Sequence, residues 1–337
     1  MGTTPGRRPP ARLVMRRTVR DALFTPVSTA RLVQLVDTDP GDVLEDFGET
    51  ADLGSVEVLI TSWGCPPLER DVLDRAPSLR AVIHIAGSVK HHITDAVWER
   101  GIAVSSAAEA NAVPVAEFTL AAILFAHKRV WQIGGLYREH RTFLPWTDHF
   151  PAVGNYRRTV GVVGASLIGR RVMELLRPFD SDVLVADPYL DEAEARSLGA
   201  RLVDLDTLVA ASDTVSLHAP SLPETRHMMD RRRLGMLRDG ATLINTARGD
   251  LVDTDALTRE LVSGRVHAVL DVTDPEPLPA TSPLYELPGV LLTPHIAGSV
   301  GGELERLTEH ALAELARFAA GQPFARPVHR ARLARSA

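Results

Sequence analysis

The chain has 337 residues, 45% of them hydrophobic, which is enough for sizeable cores and for two domains. Its formal net charge of −6 leaves no basic field for nucleic acid, and with only Lys90 and Lys128 as lysines it carries no G-K-[ST] phosphate loop. One cysteine, Cys65, rules out an internal disulfide and fits a reducing compartment, and no unbroken apolar run is as long as a membrane span, so a cytoplasmic setting without a membrane partner is expected.

The opening MGTTPGRRPPAR is polar, rich in Pro and Gly, and lacks the apolar core of a signal peptide; it reads as a disordered lead-in. From residue 12 to 106, short apolar runs alternate with helical patterns. Residues 56–61, 81–87 and 102–107 read as strands, with helices over 69–76 and 93–99 between them. Residues 113–137 carry apolar side chains at helical spacing, as one long helix or two in line. Residues 138–157 are irregular and aromatic-rich.

A second series follows, with strands over 159–164, 182–187, 201–203, 213–218, 242–247, 267–272 and 290–294. Spacers at 168–177, 206–211, 231–237 and 254–263 read as helices. An amphipathic helix runs from Gly301 to about Ala320, and a short basic tail, expected to fray, ends the chain. Strands alternating with helices make parallel sheets covered on both faces. The order predicts an α/β chain of two doubly wound parallel-sheet domains. The first is discontinuous, residues 1–111 plus 299–337, and the second spans 112–298.

TVGVVGASLIGR, residues 159–170, joins an apolar strand to a helix through a glycine turn, the start of a dinucleotide site. Gly164 supplies the tight turn and Gly169 the close helix–strand packing, while Ser166, Leu167 and Ile168 open the helix whose N-terminus attracts the pyrophosphate. Ser166 stands where glycine is usual, which serine can do with a negative φ or with a slightly looser approach of the backbone to the pyrophosphate, and its hydroxyl is then available to a phosphate oxygen. Asp187 ends the next strand; a carboxylate there accepts ribose hydroxyls and repels a 2′-phosphate. Pro188, Tyr189 and Leu190 add no arginine, so NAD is expected over NADP. The structural alternative is a buried strand–turn–helix and a surface Asp-Pro turn.

Arg248, Glu276 and His295 each follow one of the last strands, and strand ends in one parallel sheet converge. Singly, each has an ordinary reading as a surface charge, a solvated loop or a turn. Together, NTARGDLVD (245–253), LDVTDPEPL (270–278) and LLTPHIAGS (291–299) resemble the D-isomer-specific 2-hydroxyacid dehydrogenase family, as do SLHAPSLPETRHMM (216–229) and ANAVPVAEFTL (110–120). The resemblance covers about residues 50–320. It implies a flavodoxin-like substrate domain and a Rossmann NAD-binding domain.

The resemblance also implies roles. Arg248 grips the carboxylate and polarises the carbonyl of a small 2-keto acid, His295 is the acid/base, and Glu276 is its carboxylate partner. Asp271 meets the nicotinamide amide; His218, Pro220, Thr225, Thr246 and Ala247 line the cofactor, as does His295. Backbone amides of Ser88 and Val89 match the loop that binds the substrate carboxylate. The segment 113–137 matches a twofold contact, which implies a homodimer. Formate dehydrogenases of the same superfamily carry glutamine where Glu276 stands, so the glutamate argues for a carbonyl/alcohol couple. The function expected is an NAD(H)-dependent oxidoreductase interconverting a 2-keto acid and a D-2-hydroxy acid. An NAD(H)-binding regulatory scaffold or a phosphite dehydrogenase is the alternative.

Lys90, His91 and His92 depart from the family pattern. They either add positive potential for a second anionic group of the substrate or form a solvent-facing structural turn. Adjacent histidines diverge at a strand end and no further ligand is apparent, so no metal is expected. Trp63 either shapes specificity or simply packs. Cys65 is not needed as a nucleophile.

Overall fold

Runs such as VLIT, AVIH and TVGVV are rich in β-branched residues and apolar on both sides, which suits strands buried on both faces of a parallel sheet. The computed structural model describes residues 7–48, 51–143, 145–150 and 152–333. The chain divides into two compact units, residues 1–112 with 299–336, and residues 113–298.

The first unit holds five parallel strands, β1 (Ala11–Val14), β2 (Val43–Leu44), β3 (Val58–Thr61), β4 (Ala81–His84) and β5 (Ala103–Ser106), in the order β2-β1-β3-β4-β5. This is the flavodoxin-like order. Side chains alternate across it. Leu13, Val58, Ile60 and Ile83 pack one face, with Leu307, Ala311, Leu315 and Phe318 of the helix Leu304–Ala319. Val14, Leu59, Val82 and Val104 pack the other, with Leu68, Val72 and Val97. The returning C-terminal helix thus completes the core of the first sheet. The Asn111 carboxamide oxygen accepts from the Ser299 amide at 3.0 Å, tying the outgoing and returning segments.

Both ends of this unit are more ordered than expected. Pro10 bridges to Asp37, the Asp37 amide donates to Pro9, and the Arg7 guanidinium lies 3.1 Å from Glu57. The expected disordered lead-in is therefore corrected for residues 7–12; residues 1–6 lie outside the described residues. At the other end the Val328 amide donates to Val104 at 2.8 Å, Pro327 bridges to Ser105, and a helical turn covers Arg330–Leu333. Val328 and Leu333 pack on the core, which holds the tail to the sheet edge instead of letting it fray. Residues 334–337 lie outside the described residues.

The second unit holds seven parallel strands: β6 (Thr159–Val163), β7 (Asp182–Ala186), β8 (Arg201–Leu202), β9 (Thr214–Leu217), β10 (Thr242–Asn245), β11 (His267–Leu270) and β12 (Val290–Leu292). Their order is β12-β11-β10-β9-β6-β7-β8, doubly wound with its reversal between β6 and β9. Val163, Leu184, Val215, Leu243 and Leu270 face one layer of helices, and Val160, Val162, Val183, Val185, Ile244 and Val269 face the other.

The apolar segment expected over 113–137 is two helices, Ala108–His127 and Val130–His140. They are broken at Arg129, whose φ of 51° leaves the helical region and whose guanidinium donates to Gly240 and Thr242. Ala108–His127 is long and apolar enough to cross a membrane by length and composition alone. Its Ala116, Ala122 and Ile123 are buried against Val160 and Val162, as in a core helix.

Candidate active site

The second unit builds its site at the carboxyl ends of its strands. After β6 the chain turns at Gly164, φ 96°, where a Cβ would lie 2.7 Å from the Ala219 nitrogen. Gly169 packs closer still: a Cβ there would lie 2.0 Å from the Gly164 carbonyl oxygen and 3.3 Å from the His218 Cβ. Both glycines are needed to bring β6, β9 and the helix Leu167–Leu176 together at the switch point. Ser166 is the N-cap of that helix, with φ −66°, and its Oγ accepts from the Gly169 amide at 3.3 Å. Its φ is negative, so serine sits here without strain. Leu167 and Ile168 occupy the first turn, whose amides have no partner inside the helix and aim outward from its positive end.

Asp187, just past β7, accepts from the Ala165 amide at 2.7 Å and the Tyr189 amide at 2.8 Å. The carboxylate braces the turn and keeps lone pairs for a ribose hydroxyl. One arginine near the turn escaped the sequence reading. Arg170 donates to the Ala165 carbonyl at 2.8 Å and to Glu194 at 2.6 Å, so it is neutralised by a carboxylate and not turned to a 2′-phosphate. The signal that finds it is its place in the first helical turn after Gly169. The turn, the helix end and Asp187 together fit an adenine dinucleotide.

His218 is fully buried with Nε2 2.9 Å from the Ser216 hydroxyl, and burial pushes its basicity down to about 3, so it is a neutral ring. The Thr225 hydroxyl donates to the Pro220 carbonyl at 2.6 Å and accepts from the Leu222 amide at 2.9 Å, fixing the 220–225 turn. Thr246 and Ala247 are buried; Thr246 pairs with the Thr119 hydroxyl at 3.0 Å, and the Ala247 amide donates to the Asn245 side chain at 3.1 Å.

Arg248 follows in extended backbone. The Asn245 carboxamide donates to its carbonyl at 2.7 Å, and its guanidinium donates to the Ala247 carbonyl at 2.6 Å. Burial lowers its proton affinity, and the nearby charges of Asp250 and Glu276 counter that. Asn245 is a positioning group that the sequence reading passed over, although it sits in the quoted NTARG. Gly249 lets the strand ends approach: a Cβ there would meet the Thr273 carbonyl oxygen at 2.0 Å.

Glu276 and His295 meet. The His295 Nδ1 lies 2.7 Å from the Glu276 Oε1, both side chains about half exposed. His295 has φ 56°, held by Asp271 beneath it. The Asp271 carbonyl accepts from the His295 amide at 2.9 Å. Its buried carboxylate accepts from the Thr293 hydroxyl and from the Ile296 and Ala297 amides at 2.6, 2.8 and 2.9 Å. Both Asp271 oxygens thus shape the loop that carries His295, a duty beyond the nicotinamide contact that the family pattern implies. Arg248, Glu276 and His295 are accordingly gathered at one end of one sheet.

In the first unit, Ser88 and Val89 follow β4. Val89 has its side chain in the core, and its carbonyl accepts from the His92 and Ile93 amides. His84, which no sequence motif marked, joins His91 and His92, so the histidine pair does have a third partner. Trp63 packs against the core. Cys65 is buried, and burial pushes its thiol up to about 12, which makes it an inert core residue.

The model of the family described as D-isomer specific 2-hydroxyacid dehydrogenase, NAD binding domain, matches residues 120–297. The glyoxylate reductase of Thermofilum pendens is 34% identical over 251 residues, 74% of this chain and 74% of its own length. The D-3-phosphoglycerate dehydrogenase of Mycobacterium tuberculosis is 35% identical over 241 residues, 71% of this chain, of which the chain spans 45% of the length. Among solved structures, a protein from Thermus thermophilus is 30% identical with a TM-score of 0.75, covering 95% of this chain and all of its own. The D-lactate dehydrogenase of Aquifex aeolicus, solved with NAD and lactic acid, is 26% identical with a TM-score of 0.72, covering 92% and 96%.

Proposed function

We propose that this chain, which belongs to the D-isomer specific 2-hydroxyacid dehydrogenase family, interconverts a small 2-keto acid and a D-2-hydroxy acid with NAD(H). The observation that carries the reading is the His295–Glu276 pair at 2.7 Å, on strand ends that also present Arg248. Bound NADH supplies the hydride. Arg248 presents a rigid fork of donors to the substrate carboxylate and carbonyl oxygen, which aligns the acid and draws electron density toward oxygen. As the carbonyl carbon gains its new C–H bond, the carbonyl oxygen takes a proton from His295 and becomes the hydroxyl. Glu276 holds the ring by its other nitrogen and so fixes its orientation for the transfer. In oxidation, His295 takes the hydroxyl proton instead. Asp187, with Arg170 engaged by Glu194, supports NAD over NADP.

The test is loss of NADH absorbance with a panel of small 2-keto acids, and the reverse reaction with the matching D- and L-hydroxy acids. Turnover of keto acids with product of D configuration is expected, with kcat/KM for NADH well above that for NADPH. Binding of NADH without turnover of any acid favours the regulatory scaffold, and NADH formation from NAD and phosphite favours the third reading; either result overturns the proposal.

A homodimer is part of the same reading. Phe125, Val130, Tyr137, Phe143 and Trp146 are exposed apolar residues on or just beyond the helices Ala108–His127 and Val130–His140. Ile133, Leu136, Tyr137, Phe143 and Trp146 line a recess there. An apolar patch of this kind, covered by its twofold copy, is the geometry of an isologous interface.

A further inference from the structure

His84, at the end of β4, and His91 and His92, in the loop that follows, bring three imidazoles together inside the first unit. One ring nitrogen of each lies within 4.8 Å of one from each of the others, and the ring centroids are 4.3, 4.7 and 5.8 Å apart. His84 and His92 are 0% exposed, while His91 reaches the surface. The Thr61 Oγ1 sits between the two buried rings, 2.9 Å from the His84 Nδ1 and 3.3 Å from the His92 Nε2. The remaining nitrogens, His84 Nε2 and His92 Nδ1, are buried with no hydrogen-bond partner among the described residues. A buried polar atom left unpaired is destabilising and calls for a reason.

The hydrogen bonds supply one. The two contacts allow Thr61 Oγ1 to accept an N–H from each ring, and in that tautomer pair the lone pairs lie on the two orphaned nitrogens. Metal-binding histidines are oriented in this way by an acceptor on their other nitrogen. No cysteine or carboxylate belongs to the cluster, and an all-imidazole donor set suits zinc and its first-row neighbours, not magnesium or calcium.

We propose that His84, His91 and His92 form a three-histidine site for a zinc-class divalent cation, with Thr61 as the positioning residue. Zinc–nitrogen bonds of about 2.1 Å in a tetrahedron set the nitrogens roughly 3.4 Å apart, so binding draws the rings together from within their 4.8 Å span. Three protein ligands leave the fourth position to water. A bound ion would pin the loop between His84 and His91 from both ends.

The experiment titrates the chelator-treated full chain with zinc chloride by calorimetry and with cobalt(II) by visible absorption, and follows Tm. Expected are one ion per chain, a tetrahedral cobalt spectrum and a higher Tm with zinc. His91→Ala, at an exposed position, should keep the fold and weaken binding by about tenfold or more, and Thr61→Val should weaken it by about tenfold through lost orientation. Absence of stoichiometric binding, or parent-like affinity in His91→Ala, overturns the proposal.

Discussion

The carboxylate of Asp271 accepts from Thr293, Ile296 and Ala297, and its carbonyl from His295, so four donors of one loop converge on a single buried residue. In Asp271→Asn one carboxylate oxygen becomes an amide NH2, a donor set against another donor from which it cannot accept. That substitution is expected to lower stability by about 1–3 kcal/mol and to misdirect His295. Urea unfolding and kcat should fall together, and unchanged kcat would separate Asp271 from the positioning of His295. At His295 and Glu276 the effect should be confined to chemistry. Both are half exposed, so His295→Asn and Glu276→Gln should fold normally while kcat drops by about two to four orders of magnitude. Near-parental turnover in His295→Asn would refute the acid/base assignment.

Among elements, the helix Leu167–Leu176 is set by its first turn. Ser166 caps it with one hydrogen bond at 3.3 Å, and glycine at an N-cap loses only a few tenths of a kcal/mol, so Ser166→Gly should change NAD affinity modestly. Gly169→Ala is different in kind. Its Cβ would stand 2.0 Å from the Gly164 carbonyl oxygen, which is backbone and has no side-chain freedom to yield. The helix must lift from the sheet, with an expected loss of about 2 kcal/mol or more and of NAD binding measured by fluorescence quenching. Normal NAD binding by Gly169→Ala would mean that the turn is looser than its geometry implies.

For the whole molecule, pH stability follows from buried neutral histidines. In the second unit burial is the main cause that pushes His127 down to about 4 and His218 down to about 3. An unfolded histidine titrates near 6.5, so between these values the unfolded chain binds more protons. Stability is therefore complete above about pH 6.5 and is lost as the pH falls toward the folded values, by on the order of 2 kcal/mol per ring at pH 5. Urea midpoints at pH 7.5 and pH 5 check this, and equal midpoints would show that the rings are not held neutral. At the same scale, Phe143→Ser should shift the assembly toward monomer by light scattering. Phe143 is 85% exposed, so the substitution should not disturb the core.

Sequence alone determined what local order carries. Strand and helix alternation, the turn at Gly164 and Gly169, and the strand-end placement of Arg248, Glu276 and His295 are properties of short segments, and the seven strands of the second unit stand where their apolar runs put them. Tertiary structure decided what depends on pairing order. The first β-strand and the chain ends are held by partners distant in sequence, as Val328 is by Val104. The break at Arg129 depends on carbonyl and hydroxyl oxygens of the Gly240–Thr242 segment, and the double duty of Asp271 appears only when the loop beyond β12 folds over it. His84 is one polar residue in an apolar strand until the following loop returns His91 and His92 to its side. Periodicity reports which face a side chain takes; it does not report which residue the fold sets against it.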